Sequence, residues 1–196
     1  MTLATAGTLA VTGDEAADRL LNTDPLALLL GMLLDQQVPM EWAFIGPHRL
    51  AERLDSDLDA HHIAAMDPDA FAALVRTKPA LHRFPGSMAS RMQAMCRHVA
   101  DRYDGDAAAL WRGAATGEEL FARLRDLPGY GDEKARILMA VLAKRFGVRP
   151  DGWQAHAGAF ADAQPRSVAD IDSAEALQRV RAWKKAQKAR GKNKDE

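Results

Sequence analysis

The sequence predicts an all-α protein, and three observations carry that reading. Leu and Ala dominate a chain that is 47% hydrophobic. β-Branched residues are sparse and no sustained apolar–polar alternation occurs. Apolar residues recur instead at three- and four-residue intervals between Pro, Gly and Asp punctuation. A length of 196 residues fits one domain or two small lobes.

From the N-terminus, Thr8 to Val11 reads as a short extended piece, Gly13-Asp14 as a turn or cap, and Glu15 to Leu21 as a short helix. Asn22-Thr23-Asp24-Pro25 supplies an N-cap with Pro at the first helical position. The helix that follows, Leu26 to about Gln37, is apolar nearly all round. Such a helix belongs at the centre of a fold, and it is too short to span a membrane. Met40 to Leu54 is the next helix, with Gly46-Pro47 as a kink point. Its Trp42 and Phe44 are either core or the wall of a base-sized pocket. His61 and His62 fall in an acidic connection and lack the ligand set of a zinc site. Asp67-Pro68 opens a short helix through Val75. Phe84-Pro85-Gly86-Ser87 leads to a helix from Met92 to Tyr103, closed by the turn Asp104-Gly105-Asp106.

The most informative stretch is Thr116 to Phe146. Thr116-Gly117-Glu118-Glu119 has capping-box spacing. Leu120, Phe121, Leu124 and Leu127 repeat at helical intervals, and Pro128-Gly129 stops that helix. Gly131-Asp132 starts a second one, carried by Ala135, Ile137, Leu138, Val141, Leu142 and Phe146. So tight a turn bares backbone N–H groups at the start of the second helix, an anion site suited to a phosphate. Beyond it, Gly152-Trp153 begins an irregular stretch to Pro165. A helix from Ser173 to about Arg190 carries basic residues and Trp183, and Gly191 to Glu196 is expected to be disordered.

Leu127-Pro128-Gly129-Tyr130-Gly131 followed by Ala135 resembles the helix–hairpin–helix signature of the HhH-GPD DNA glycosylases, the endonuclease III group. Asp151 lies twenty residues after Gly131, where that family places its catalytic aspartate. Leu33-Leu34-Asp35-Gln36-Gln37 is similar to the end of the family's first barrel helix, and the Gly86 to Asp106 segment is similar to the one before its hairpin. The likeness runs from about Leu26 to Asp151. It implies double-stranded DNA with a damaged base as the partner. It implies phosphate contact through Pro128, Gly129, Tyr130, Gly131 and Lys134, and catalysis by Asp151. Gln37 would fill the gap left by the flipped base and Glu133 would face the base pocket, for whose wall Trp42 is a candidate by residue type alone. A Gln has both a donor and an acceptor for an orphaned base; as a residue alone, Gln37 is equally a helix C-cap.

In that chemistry a carboxylate stabilises an oxocarbenium-like sugar or activates water, with no metal. Pro150-Asp151-Gly152 is also a good turn sequence, which gives Asp151 a purely local reason to be there. The lyase branch has a lysine two residues after the second hairpin glycine, where this chain has Glu133. Lys134 is displaced from it by about 100° of helix. The reading is therefore a monofunctional glycosylase without a Schiff-base step. Its alternative is a non-catalytic helix–hairpin–helix DNA-binding protein, and a third reading is a protein-interaction scaffold. A single cysteine, Cys96, cannot furnish the four-cysteine iron–sulfur cluster found in many relatives. The expected cofactor is none, with a monovalent cation admitted at the hairpin.

Formal net charge is −1 and the pI about 6.6, which does not announce nucleic-acid binding. The charge is uneven: residues 171–196 hold eight Lys and Arg against four acids, leaving 18 basic and 23 acidic residues elsewhere. The basic face of the last helix is either solvated or a DNA contact. The expected organisation is a barrel lobe at 25–147 containing the hairpin at 116–146, and a second lobe from 1–24 with 148–196. Without a signal peptide or membrane span, the expected setting is a monomer in the cytoplasm, on the bacterial nucleoid.

Overall fold

The computed structural model describes residues 7–191. Among them the chain forms ten α-helices and three short 3-10 turns, with no strand, so the all-α expectation holds. Residues 8–11 are not a strand. Leu9 and Val11 donate to side chains, Asn22 Oδ1 at 2.8 Å and Asp18 Oδ1 at 3.1 Å, and Ala10 donates to the Ile171 carbonyl at 3.4 Å.

α1 (Glu15–Thr23) is capped by Asp14, whose carboxylate accepts from the Ala17 N–H. Asp24 caps α2 (Pro25–Leu34), accepting from Leu26 and Ala27 at 2.8 and 3.2 Å. Burial raises the Asp24 pKa above the usual carboxylate value. Every residue of α2 is buried, as its unbroken apolar run implies, and each fully buried Leu contributes about 1.5–3 kcal/mol. α2 ends at Leu34, three residues before the end implied by the sequence. α3 (Met40–Leu54) has its expected bounds, with Pro47 inside.

α4 (Ala60–Ala65) replaces the expected acidic connection. Asp59 caps it, accepting from the His62 N–H at 2.6 Å, and six residues are too few for a visible period. After α5 (Pro68–Arg76), α6 (Pro85–Tyr103) begins seven residues earlier than its apolar pattern suggests. Pro85 is at a first-turn position, where it has no N–H to lose, and Met88 and Ala89 join the core. A 3-10 turn at Ala107–Leu110 precedes α7 (Gly117–Arg125) and α8 (Asp132–Arg145). The stretch expected to be irregular contains α9 (Trp153–Ala157) and two 3-10 turns, Gly158–Ala161 and Val168–Asp170. α10 (Ala174–Ala189) follows the Ser173 cap. Residues 192–196, expected to be disordered, lie outside the described residues.

One hydrophobic cluster extends from Leu9 to Val180. α2 packs on α3; α4 and α5 pack on α6. α8 packs on α7, α9 and the Val168–Asp170 turn. The half-buried Lys144 fastens that last contact, donating to Asp170 Oδ1 at 2.6 Å and the Asp162 carbonyl at 2.5 Å.

Candidate nucleic-acid interface

The hairpin turn is seated on α2. Gly129 has φ +81°, a left-handed conformation, and a Cβ there would sit 2.6 Å from Leu33 Cδ1. The left-handed φ favours glycine at 129, and any other residue would also push the Leu33 methyl aside. Gly131 is different: its φ is −98°, and nothing lies within 4 Å of where its Cβ would be. No contact within the protein requires glycine there. Its bare backbone opens α8, whose first N–H groups have no intrahelical acceptor. Asp132 and Glu133 occupy the first turn of α8, where carboxylates favour the helix dipole. Arg125 Nε meets Asp132 Oδ1 at 2.7 Å across the hairpin.

Two residues expected at the phosphate have other work. Tyr130 is only 7% exposed, its OH donates to the Leu29 carbonyl at 2.9 Å, and its N–H to the Leu127 carbonyl at 3.1 Å. It pins the turn to α2, and burial raises its phenol pKa. Lys134, expected to face DNA, turns inward. Its ammonium donates to the carbonyls of Met32 and of Asp35, the latter at 3.1 Å. A cation at the orphan carbonyls of a C-terminus is favoured by the dipole, and this contact satisfies carbonyls left open where α2 ends. Pro128 is half-buried within the turn.

Gln37 is therefore on a loop and not at a helix end. It is exposed and has φ +57°. Its conformation is fixed by its neighbour. Gln36 Nε2 donates to the Leu33 carbonyl at 2.8 Å, and Arg91 Nη1 donates to Gln36 Oε1 at 2.8 Å. His82 Nε2 is 2.8 Å from the Gln36 carbonyl, and His82 Nδ1 accepts from the Phe84 N–H at 3.1 Å. An acceptor Nδ1 leaves the proton on Nε2, so the ring is neutral and Nε2 donates. Burial lowers the His82 pKa and maintains that state. Phe84, two residues on, is 46% exposed and lies under Arg83, with 4.7 Å from the guanidinium to the ring centroid. Among the described residues it is the one large hydrophobic side chain left exposed. Sequence reasoning missed His82, Arg91 and Phe84. The only local signal was a His-Arg-Phe run ahead of Pro85.

Trp42 is half-buried and its Nε1–H donates to the Ala80 carbonyl at 2.9 Å, so its indole braces the segment leading to His82. Glu133 is exposed in the first turn of α8.

Asp151 stands apart from these groups, at the start of α7 and so about 14 Å of helix from the glycine turn. Its carbonyl accepts from the Gly117 N–H at 2.7 Å and its N–H donates to the Ala115 carbonyl at 3.2 Å. The Trp153 N–H closes a turn on the Pro150 carbonyl at 3.1 Å, with Gly152 at φ +75°. The turn chemistry read from Pro150-Asp151-Gly152 is thus present, and the Asp151 side chain is exposed at its corner. A Cβ on Gly117 would meet the Trp153 Cα at 2.7 Å and N at 2.8 Å, so only glycine lets α7 start against this turn. The capping box is displaced by one residue: Thr116 Oγ1 accepts from the Glu119 N–H, but Glu119 Oε2 accepts from the N–H of Ala115.

Among the described residues no group of three or more His, Cys, Asp or Glu could hold a metal.

A family model described as HhH-GPD superfamily base excision DNA repair protein matches residues 30–195. No curated protein and no solved structure matches the chain. The tyrosine-pinned glycine hairpin and the helical frame around it agree with that match, and the chain belongs to the HhH-GPD superfamily of base excision DNA repair proteins.

Proposed function

We propose that the protein is a monofunctional DNA glycosylase that hydrolyses the N-glycosidic bond of a damaged base flipped out of duplex DNA. The observation that carries this reading is Asp151: an exposed carboxylate on a turn held by backbone bonds to the hairpin's first helix. A flipped nucleotide delivered there meets a fixed negative charge beside its sugar, which stabilises the oxocarbenium-like state or takes a proton from water. The Gly131 backbone and the start of α8 take the strand's phosphate, with a monovalent cation as an optional bridge. Gln37 enters the gap left by the base, and Phe84 stacks on the neighbouring bases. Glu133 has no amine to form an imine, so the product is an abasic site in an unbroken strand. Trp42 acts from behind the base pocket by bracing its wall. Residues 25–147 form the barrel lobe and the remainder the second lobe, with the substrate cleft between them. The protein works as a monomer in the cytoplasm.

The test is base release from duplexes carrying uracil, alkylated, oxidised or mismatched bases, with Asp151→Asn alongside. Base release on at least one lesion is expected, with no strand cleavage and a loss of about 100-fold or more in the variant. Equal activity in both proteins would remove the mechanism. The exposure of Asp151 favours one second reading, a helix–hairpin–helix protein that binds DNA without cutting a bond. Salt-dependent binding with no base released from any duplex would select it.

A further inference from the structure

The basic residues of α10 are not spread evenly. Ala176, Leu177 and Val180 form its buried stripe. At 100° per residue, Arg181, Lys184, Lys185 and Lys188 collect on one flank of that stripe, at i, i+3, i+4 and i+7. Arg179 and Arg190 lie on the other flank. The first flank meets the start of α3. Arg181 pairs with Glu41, and Lys184 Nζ lies 3.2 Å from Met40 Sδ. Both partners lie in the first turn of α3, next to the loop that presents Gln37. Met40 is three residues from Gln37, a reach of at most about 11 Å, and Lys185 and Lys188 are exposed.

Charge separates along the central helix in the same sense. The N-terminal end of α2 borders a recess lined by Asp24, Asp57, Asp104 and Asp106. Its C-terminal end, about 15 Å away, has Gln37, Arg91, Arg83 and the α10 flank. A polyanion is repelled at one end and drawn to the other. We propose that this flank of α10 is a second contact to the DNA backbone, with Lys185 and Lys188 each on a phosphate beside the gap that Gln37 fills. The proposal rests on the DNA-facing role of Gln37 and not on catalysis by Asp151.

The experiment is fluorescence anisotropy of a labelled duplex with the full 196-residue chain across a salt series. Two double variants remove equal charge, Lys185→Gln/Lys188→Gln and Arg179→Gln/Arg190→Gln. The first should flatten the slope of log affinity against log salt by about 1.8, or 0.9 per phosphate contact. It should weaken damaged and undamaged duplexes alike, while the second leaves the slope unchanged. Equal flattening by both variants means a diffuse charge effect and overturns the contact. No flattening by the first, with wild type still binding, overturns the α10 contact alone. No salt-dependent binding by wild type overturns it together with the DNA interface.

Discussion

The α2–α3 loop and the Asp151 turn each present one exposed side chain of proposed function, and they are built in opposite ways. The loop is held by side chains from afar: His82 and Arg91 on Gln36, and Lys134 on the carbonyls ending α2. The turn is held by main-chain bonds among residues 115–117 and 150–153, and among the described residues no hydrogen bond or ion pair uses the Asp151 carboxylate. The loop's shape therefore depends on residue identity at several distant positions. The turn's shape does not depend on the Asp151 carboxylate, which makes Asp151→Asn a test of chemistry uncontaminated by folding. That substitution is also the largest effect expected, since its 100-fold loss should come with a stability change within about 0.5 kcal/mol.

Breaking the turn itself requires a backbone lesion. Gly117→Ala drives a methyl into the Trp153 main chain, and a denaturation curve should show about 1–3 kcal/mol of destabilisation with base release falling in parallel. Unchanged stability would mean that α7 can slide off the turn. The loop should instead respond to pH. Folding keeps the buried His82 neutral, its pKa lowered, while the unfolded chain gains a proton as pH falls through about 6.5. The unfolded state then binds more protons, so stability falls with acidification, by at most about 1.4 kcal/mol per pH unit per ring. His98, also lowered by burial, adds a contribution of the same sign. Urea titrations at pH 7.5 and 5.5 should show the loss, and His82→Gln should show a smaller one. Equal losses would assign the whole effect elsewhere. The smallest expected stability effect is at the hairpin. Gly131→Ala, whose methyl meets open space, should leave stability within about 0.5 kcal/mol but weaken DNA binding several-fold in the anisotropy assay. Unweakened binding would show that no phosphate comes close to that backbone.

What the sequence made legible was local. Asp14, Asp24, Thr116 and Ser173 announced their helices because a cap acts on N–H groups two or three residues away. The hairpin was readable because its glycines and Leu127 lie within five residues. The end of α2 was not, because the ammonium that satisfies its last carbonyls belongs to Lys134, about a hundred positions further on. His82 escaped for the same reason: its partner Gln36 is 46 residues away, and a buried neutral His has no local signature. Pro85 stood as a boundary because proline is compatible both with a turn and with a first helical position. Asp151 was located by its distance from Gly131, and that count conveyed nothing about how its turn is anchored.

The two ring nitrogens of His82 are both engaged, one with the Gln36 carbonyl and one with the Phe84 N–H. The backbone beside Gln37 and the backbone of Phe84 are therefore tied to a single imidazole. On the proposed reading, neither can press into a duplex without carrying the other's anchor with it. Interrogation of the helix is then a two-pronged act, in which the gap is filled and the adjoining stack is parted in one stroke. A protein with a slack linkage at this ring would prod each position separately.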